Sequence, residues 1–476
     1  MEPHDFQAIQ SRRQFFRNCA GGIGTIALHH LLTSEGRAGE STGALAAPHF
    51  APRARNVIFL FMAGAPSQLD LVSHKPAMQR WHGEKVPEAM LASLKDPLLK
   101  STATVFASPR SFTRHGRSGM EFSDFLPHTA TIADEICMVH SLYTDVSNHH
   151  PAQLMMNCGV PRFGLPAMGS WVSYGLGSEC RDLPGFIVLT SDSGKGIDGG
   201  ASNWSNGFLP SEYRGVTFRN TGDPVLFLSS PEGVSRETQR ARLDAIRDLN
   251  TMRQELHGDL EVASRIAAYE MAFRMQLSAP DLLDFSDESE ATRAMYGVDR
   301  EITRPFGTNC LLARRMVERG VRFVQLYHST WDDHSDLNEN LETNCRMTDQ
   351  PCAALIKDLK QRGLLDETLV IWGGEFGRTP MNEVRRGNTP GKEGRDHHPF
   401  SFSMWMAGGG VKQGAIIGET DELGYAITRD PIHVHDLHAT LLNCLGVDHT
   451  KLTYRHQGRN YRLTDVAGNV KQQLLA

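Results

Sequence analysis

The stretch "NCLLARRMVERGVRFVQLYHSTWDDH" (Asn309–His334) changes character twice. Up to Gly320 its apolar residues recur at helical spacing, and a glycine ends the run. Val321–His328 is then a mostly apolar run of strand length. Such a run suits a strand covered on both faces, as in a parallel sheet packed by helices. The third part is polar, with Asp332, Asp333 and His334 crowded behind the strand. Helix, buried strand and polar loop together form the repeating unit of an α/β sheet.

The rest of the chain repeats that unit. Val57–Met62, Ile136–Thr144, Gly185–Thr190, Thr368–Gly377 and Phe402–Gly410 read as further buried strands. "HHPAQLMMNCG" (His149–Gly159) reads as a helix with a proline in its first turn and a glycine stop. "QPCAALIKDLKQRGLL" (Gln350–Leu365) is a helical pattern that leads straight into the Thr368 strand. The alternation predicts a doubly wound, mainly parallel sheet sandwiched by helices. Residues from about 235 to 280 differ: they are long, charged and helical in period, which predicts a helical hairpin inserted into the sheet domain. "RSFTRHGRSGM" (Arg110–Met120) and "SDSGKGIDGGASNWSNG" (Ser191–Gly207) read as Gly/Ser-rich loops.

Composition narrows the function. The 476 residues are 40% hydrophobic and 22% charged, which is a globular balance. A net charge of -6 gives no basic footprint for nucleic acid. The N-terminus pairs Arg12 with Arg13, continues into a modest apolar run and reaches "ALAAP", a small-x-small cleavage pattern. We read residues 1–46 as a twin-arginine signal peptide and linker, and 47–476 as the mature domain, exported to the periplasm or beyond. The apolar run is too short for a permanent membrane span. Of the eight cysteines, Cys19 lies in the signal. The remaining odd number excludes complete pairing. A bridge among Cys137, Cys158 and Cys180 stays open, with buried free thiols the simpler reading for most.

In parallel α/β sheets ligands bind beyond the carboxyl ends of the strands. The polar residues next to each strand end are therefore informative. Ser67 and Asp70 come after the first strand, and Ser147, His149 and His150 after the second. Asp332, Asp333 and His334 come after the Val321 strand, and Glu375 and Arg378 after the start of the Thr368 strand. Asp396, His397 and His398 precede the Phe402 strand. A divalent ion of the Zn, Mn or Fe kind takes imidazole nitrogen and carboxylate oxygen together. Arg378 has the planar fork that grips sulfate or phosphate. His149 and His150 stand at a helix start, where backbone N–H groups favour an anion. The plain alternatives are an Asx turn at Asp332, a Glu375–Arg378 pair, and helix caps at His149, His150 and Asp70.

The order of "FLFMAGAPSQLDLVSHKP", "NHHPAQLMMNCG", "PAMGSWVSYGLGSECRDLPGFIVL", "WDDH", "GGEFGRTP", "GRDHHPFSFSMWMAGGGVKQG" and "HDLHATLLNCLGVDH" resembles a bacterial family of exported proteins. That family is classed as domain of unknown function fifteen-oh-one and placed in the alkaline phosphatase/sulfatase-like superfamily. The resemblance implies an alkaline-phosphatase-like fold and a metal-dependent site acting on sulfate or phosphate esters, with one or two divalent ions (Zn, Mn, Fe or Ca). By position it implies Asp332, His334, Glu375 and His397 or His398 as metal ligands, with Asp70 a late substitute for an acid after the first strand. It places the helix start around Ser147 to His150, with His149 and His150, at the nucleophile position. It also implies a sulfated or phosphorylated small molecule or glycan as substrate, and an exported cytochrome-like partner.

The departures are specific. "GAPSQLD" lacks the usual immediate aspartate. "GEFG" lacks the histidine of an Asp-His-Gly turn, and a second metal with it unless His149 or His150 compensates. No Cys-x-Pro-x-Arg nucleophile is present, so a water activated by the ion suits the site better than a covalent serine. The expectation is an exported ester hydrolase. The alternative is a non-catalytic binding or assembly protein on a degenerate fold.

Overall fold

The computed structural model describes residues 43–88, 103–191, 197–219, 225, 233–257, 260–383 and 392–476. Arg12, Arg13 and the rest of the twin-arginine reading lie outside the described residues, apart from 43–46 at its end.

Nine strands form the central sheet: β1 (Asn56–Met62), β2 (Ile136–Tyr143), β3 (Phe186–Thr190), β4 (Val216–Phe218), β5 (Phe323–His328), β6 (Thr368–Gly373), β7 (Phe402–Ala407), β8 (Ala415–Ile417) and β9 (Ile432–His433). Their order is β8-β2-β7-β6-β1-β5-β3-β4, with β9 paired to β2. Every pairing is parallel except those of β7, which runs antiparallel to both β2 and β6. The reversed strand matters for the site. Residues that precede β7 lie on the same edge as residues that come after β1, β2, β5 and β6.

The alternation of side chains sends β1 into two cores. Ile58, Leu60 and Met62 pack on one face with helices α5 (Arg304–Glu318) and α6 (Leu337–Gln361). Val57, Phe59 and Phe61 pack on the other with α1 (His149–Cys158), α2 (Met168–Leu176) and α7 (Val434–Cys444). Each such side chain, fully buried, contributes roughly 1.5–3 kcal/mol, which is why the apolar runs were decisive in the sequence.

Helices α3 (Arg236–His257) and α4 (Leu260–Leu283) form the hairpin. Arg240 ties them through Glu270 Oε1 at 2.7 Å, and Met275, Ala279 and Leu282 reach the first core. Arg110–Met120, read as a loop, instead belongs to a β-ribbon, Phe112–His115 against Met120–Ser123. Gly116 and Gly119 turn it at φ 67° and 70°. Its outward positions are polar, so no apolar alternation announced it. All seven cysteines after Cys19 are free thiols. No helix among the described residues is long and apolar enough to cross a membrane.

Candidate metal centre

The loop after β5 carries Asp332 and His334, and α1 begins with His149. A two-residue antiparallel ribbon, Gly377–Arg378 against His397–His398, brings in His397. His149, Asp332, His334 and His397 each place one ligand-type atom within 4.8 Å of all the others. Asp332 Oδ1 is the hub. It lies 2.9 Å from His149 Nε2, 2.9 Å from His334 Nε2 and 3.4 Å from His397 Nε2.

The far nitrogen of each ring is also held. His149 Nδ1 is 2.6 Å from Glu375 Oε1, and His397 Nδ1 is 2.8 Å from the Ser147 carbonyl. His334 Nδ1 bonds Glu383. An acceptor behind each Nδ1 fixes the proton there and turns the Nε2 lone pair to the centre, the arrangement that orients metal-ligating histidines.

Charge points the same way. Among the described residues, the carboxylates Asp332, Glu375 and Glu383 gather around the three imidazoles, with Arg378 bonded to Asp332. Such a concentration of carboxylates favours protonated imidazoles, or a divalent cation in their midst. In the protonated form, burial opposes charging His149, but hydrogen bonds to Asp332 and Glu375 outweigh it and push the ring up to about 9. His334 is likewise raised, with Asp332 and Glu383 overcoming burial. His397 is lowered, because burial and its cationic neighbours Arg378, His149 and His334 disfavour a third charge. Burial also acts against the Asp332 carboxylate, yet the three imidazoles and Arg378 hold it far below the ordinary carboxylate range. These residues fit a divalent ion.

The other expected residues take different posts. Glu375 is 0% exposed and stands behind His149, not in the ligand set. It accepts the Gly64 N–H at 3.0 Å and the Gln153 amide at 3.1 Å. His398 faces away from its neighbour, as successive strand residues must. Its Nε2 donates to the Tyr425 carbonyl at 2.7 Å, and burial lowers it to about 4. His150 lies one helix position from His149 and turns its ring to Phe163, 4.6 Å between centroids. Asp70 is committed to Arg395, at 2.7 and 3.1 Å, and does not join the ligand set.

Arg378 is fully buried and does not grip a free anion. It donates to the carbonyls of Gly64, Ala65, Trp331 and Arg395 and to Asp332 Oδ1 at 2.6 Å. It therefore knits the ends of β1 and β5 to the ribbon. Gly64 (φ 106°) lets the chain after β1 run close against the loop after β5, since a Cβ there would lie 2.6 Å from the Asp332 nitrogen.

Glu383 escaped the sequence reading. It stands in "TPMNEV", with no motif around it, and shares a second grouping with His334 and Asp396. The "PIHVHDLH" histidines do not reach the centre. His435 and His438 donate to the Gly159 and Met156 carbonyls, both at 2.7 Å, and so hold the far end of α1.

Among solved structures, the lipoteichoic acid synthase LtaP from Listeria monocytogenes is similar at 10% identity, over 86% of this chain and 76% of that one, with a TM-score of 0.35. The PsFucS1 sulfatase from Pseudoalteromonas sp. is 12% identical over 83% and 68%, TM-score 0.35. A protein in the alkaline phosphatase superfamily from Vibrio parahaemolyticus is 10% identical over 84% and 68%, TM-score 0.36. No curated protein matches the chain. The model of the family described as Protein of unknown function (DUF1501) matches residues 54–475, nearly the whole chain, and the protein belongs to that family.

Proposed function

We propose that the protein is an exported, metal-dependent hydrolase of sulfate or phosphate esters, with His149, Asp332, His334 and His397 as the ligands of one divalent ion. The convergence of three Nε2 atoms on Asp332, each ring held from behind, is the observation that carries this reading. When bound, such an ion supplies Lewis acidity and lowers the pKa of water. Glu375, Glu383 and the Ser147 carbonyl keep the rings oriented. Asp332 keeps its side chain 45% exposed, so the centre faces solvent on one side and a substrate can approach it. The edge where strands end is the usual ligand position in such sheets. The chemical class of the substrate rests on the motif resemblance and on the ion's affinity for ester oxygen.

One observation favours the alternative, a non-catalytic binding or assembly protein. Four protein ligands complete a tetrahedral ion, as in structural zinc sites, whereas catalytic sites keep a position open.

Metal analysis of protein purified without chelator decides the first step: about one equivalent is expected, and none in Asp332→Ala. Hydrolysis of aryl sulfate or aryl phosphate, lost in His334→Ala, supports the enzyme. Stoichiometric metal with no turnover of either ester supports the alternative, and absence of metal sinks both forms of the metal reading.

A further inference from the structure

A cavity of about 370 Å3 lies along α6 and shares no lining residue with the metal centre. Glu342, Cys345, Arg346 and Asp349 line it at positions three and four apart, one face of the helix. Phe125, Pro127 and Ile302 give it apolar walls.

Its charges are unevenly committed. Arg110 is occupied: Nε donates to Asp124 Oδ1 at 2.9 Å and Nη1 to Asn338 Oδ1 at 3.0 Å, with the guanidinium 3.9 Å above the Phe125 ring. Asp349 is occupied too, accepting the His128 and Thr129 N–H groups at 2.7 and 2.8 Å. Arg300 donates to the neutral Gln350 Oε1 at 2.7 Å. Neither Arg300 nor Arg346 has an ion-pair partner among the described residues; of the lining acids Asp124 is paired with Arg110, Asp349 has its oxygens turned to backbone N–H groups, and Glu342 is the acid on their own stretch of the wall. A single unpaired surface arginine is ordinary. Two that line one cavity of ligand-binding size, beside an apolar wall, have the donor geometry that suits an oxyanion.

We propose that this cavity binds a small organic oxyanion, a sulfate, phosphate or phosphonate group on a ring-sized apolar body. Arg300 and Arg346 grip the anion, and Phe125, Pro127 and Ile302 cover the body. The site is separate from the metal centre and stands whether or not the protein is a hydrolase.

Calorimetry with phenylphosphonate, which offers no ester to hydrolyse, tests it. Binding should persist in His334→Ala and weaken about tenfold or more in the double variant Arg300→Gln/Arg346→Gln. Glu342→Gln should tighten it, and inorganic phosphate, lacking the apolar body, should bind more weakly than phenylphosphonate. Both arginines are exposed, so the double variant should keep the native melting temperature. The proposal fails if the double variant binds as tightly as the native protein. It fails equally if binding disappears in His334→Ala alone, which would locate the ligand at the metal centre.

Discussion

Asp332 Oδ1 meets three imidazoles and one guanidinium, so single substitutions around it should separate ligands from supports. Glu375→Gln and Glu383→Gln leave the four ligand atoms in place but weaken the hold on His149 and His334. Metal affinity should fall roughly 10- to 100-fold in each, read by competition with a chromophoric chelator. Gly64→Ala is a steric test. Its Cβ would press on the backbone of Trp331 and Asp332 at 2.8 and 2.6 Å, at a φ that disfavours a side chain. A loss of roughly 2 kcal/mol or more in urea unfolding is expected, with weaker metal binding. At this scale the sequence was half legible. The doublets His149–His150, Asp332–Asp333 and His397–His398 each contribute one member to the cluster that the fold brings together, but a doublet does not say which member faces inward. Helix rotation and strand alternation settle that, and only the folded backbone fixes their phase. Glu383 was invisible because a lone acid in a polar loop carries no pattern.

Helix α1 is fixed at both ends. His149 is held at its start by Glu375, and His435 and His438 seize carbonyls of its last turn. His438 is wholly buried, and burial, helped by the nearby His435, lowers it to about 3 from an ordinary 6.5. A depressed value means that the neutral ring belongs to the folded state. Its stabilisation is complete above about pH 6.5 and is lost as the pH falls toward 3. Each pH unit inside that window removes about 1.4 kcal/mol for this residue. Urea unfolding at pH 7 and pH 5 should show the loss, and His438→Gln, which cannot titrate, should flatten the slope. Elements were more legible than single residues when they were long and apolar. All six strands expected from apolar runs are present. The edge strands β4, β8 and β9 and the ribbon at 377–378 and 397–398 were not read, since two or three residues offer no period to detect.

For the molecule as a whole, a metal that binds only the folded state adds stability by mass action, about 2.7 kcal/mol at a hundredfold excess over Kd. Removing it with a chelator should lower the melting temperature by a few degrees, measured by calorimetry. Asp332→Ala should melt at the same temperature with and without chelator. A native protein indifferent to both chelator and added zinc or manganese would contradict the proposed centre. The global architecture was the most readable level, because strand, helix and polar loop recur in one order along the chain.

The reversed β7 has a consequence in time. The proposed ligands span His149 to His397, and the last is delivered by a segment that enters the sheet beside β6 rather than leaving it. An ion therefore cannot nucleate this domain early, as it does in short metal-folded modules. It can be captured only once the chain has closed on itself across that distance. In refolding from denaturant, the proposed ion should leave the rate of folding nearly unchanged and slow unfolding instead. The centre would then act as a late lock on a finished sheet.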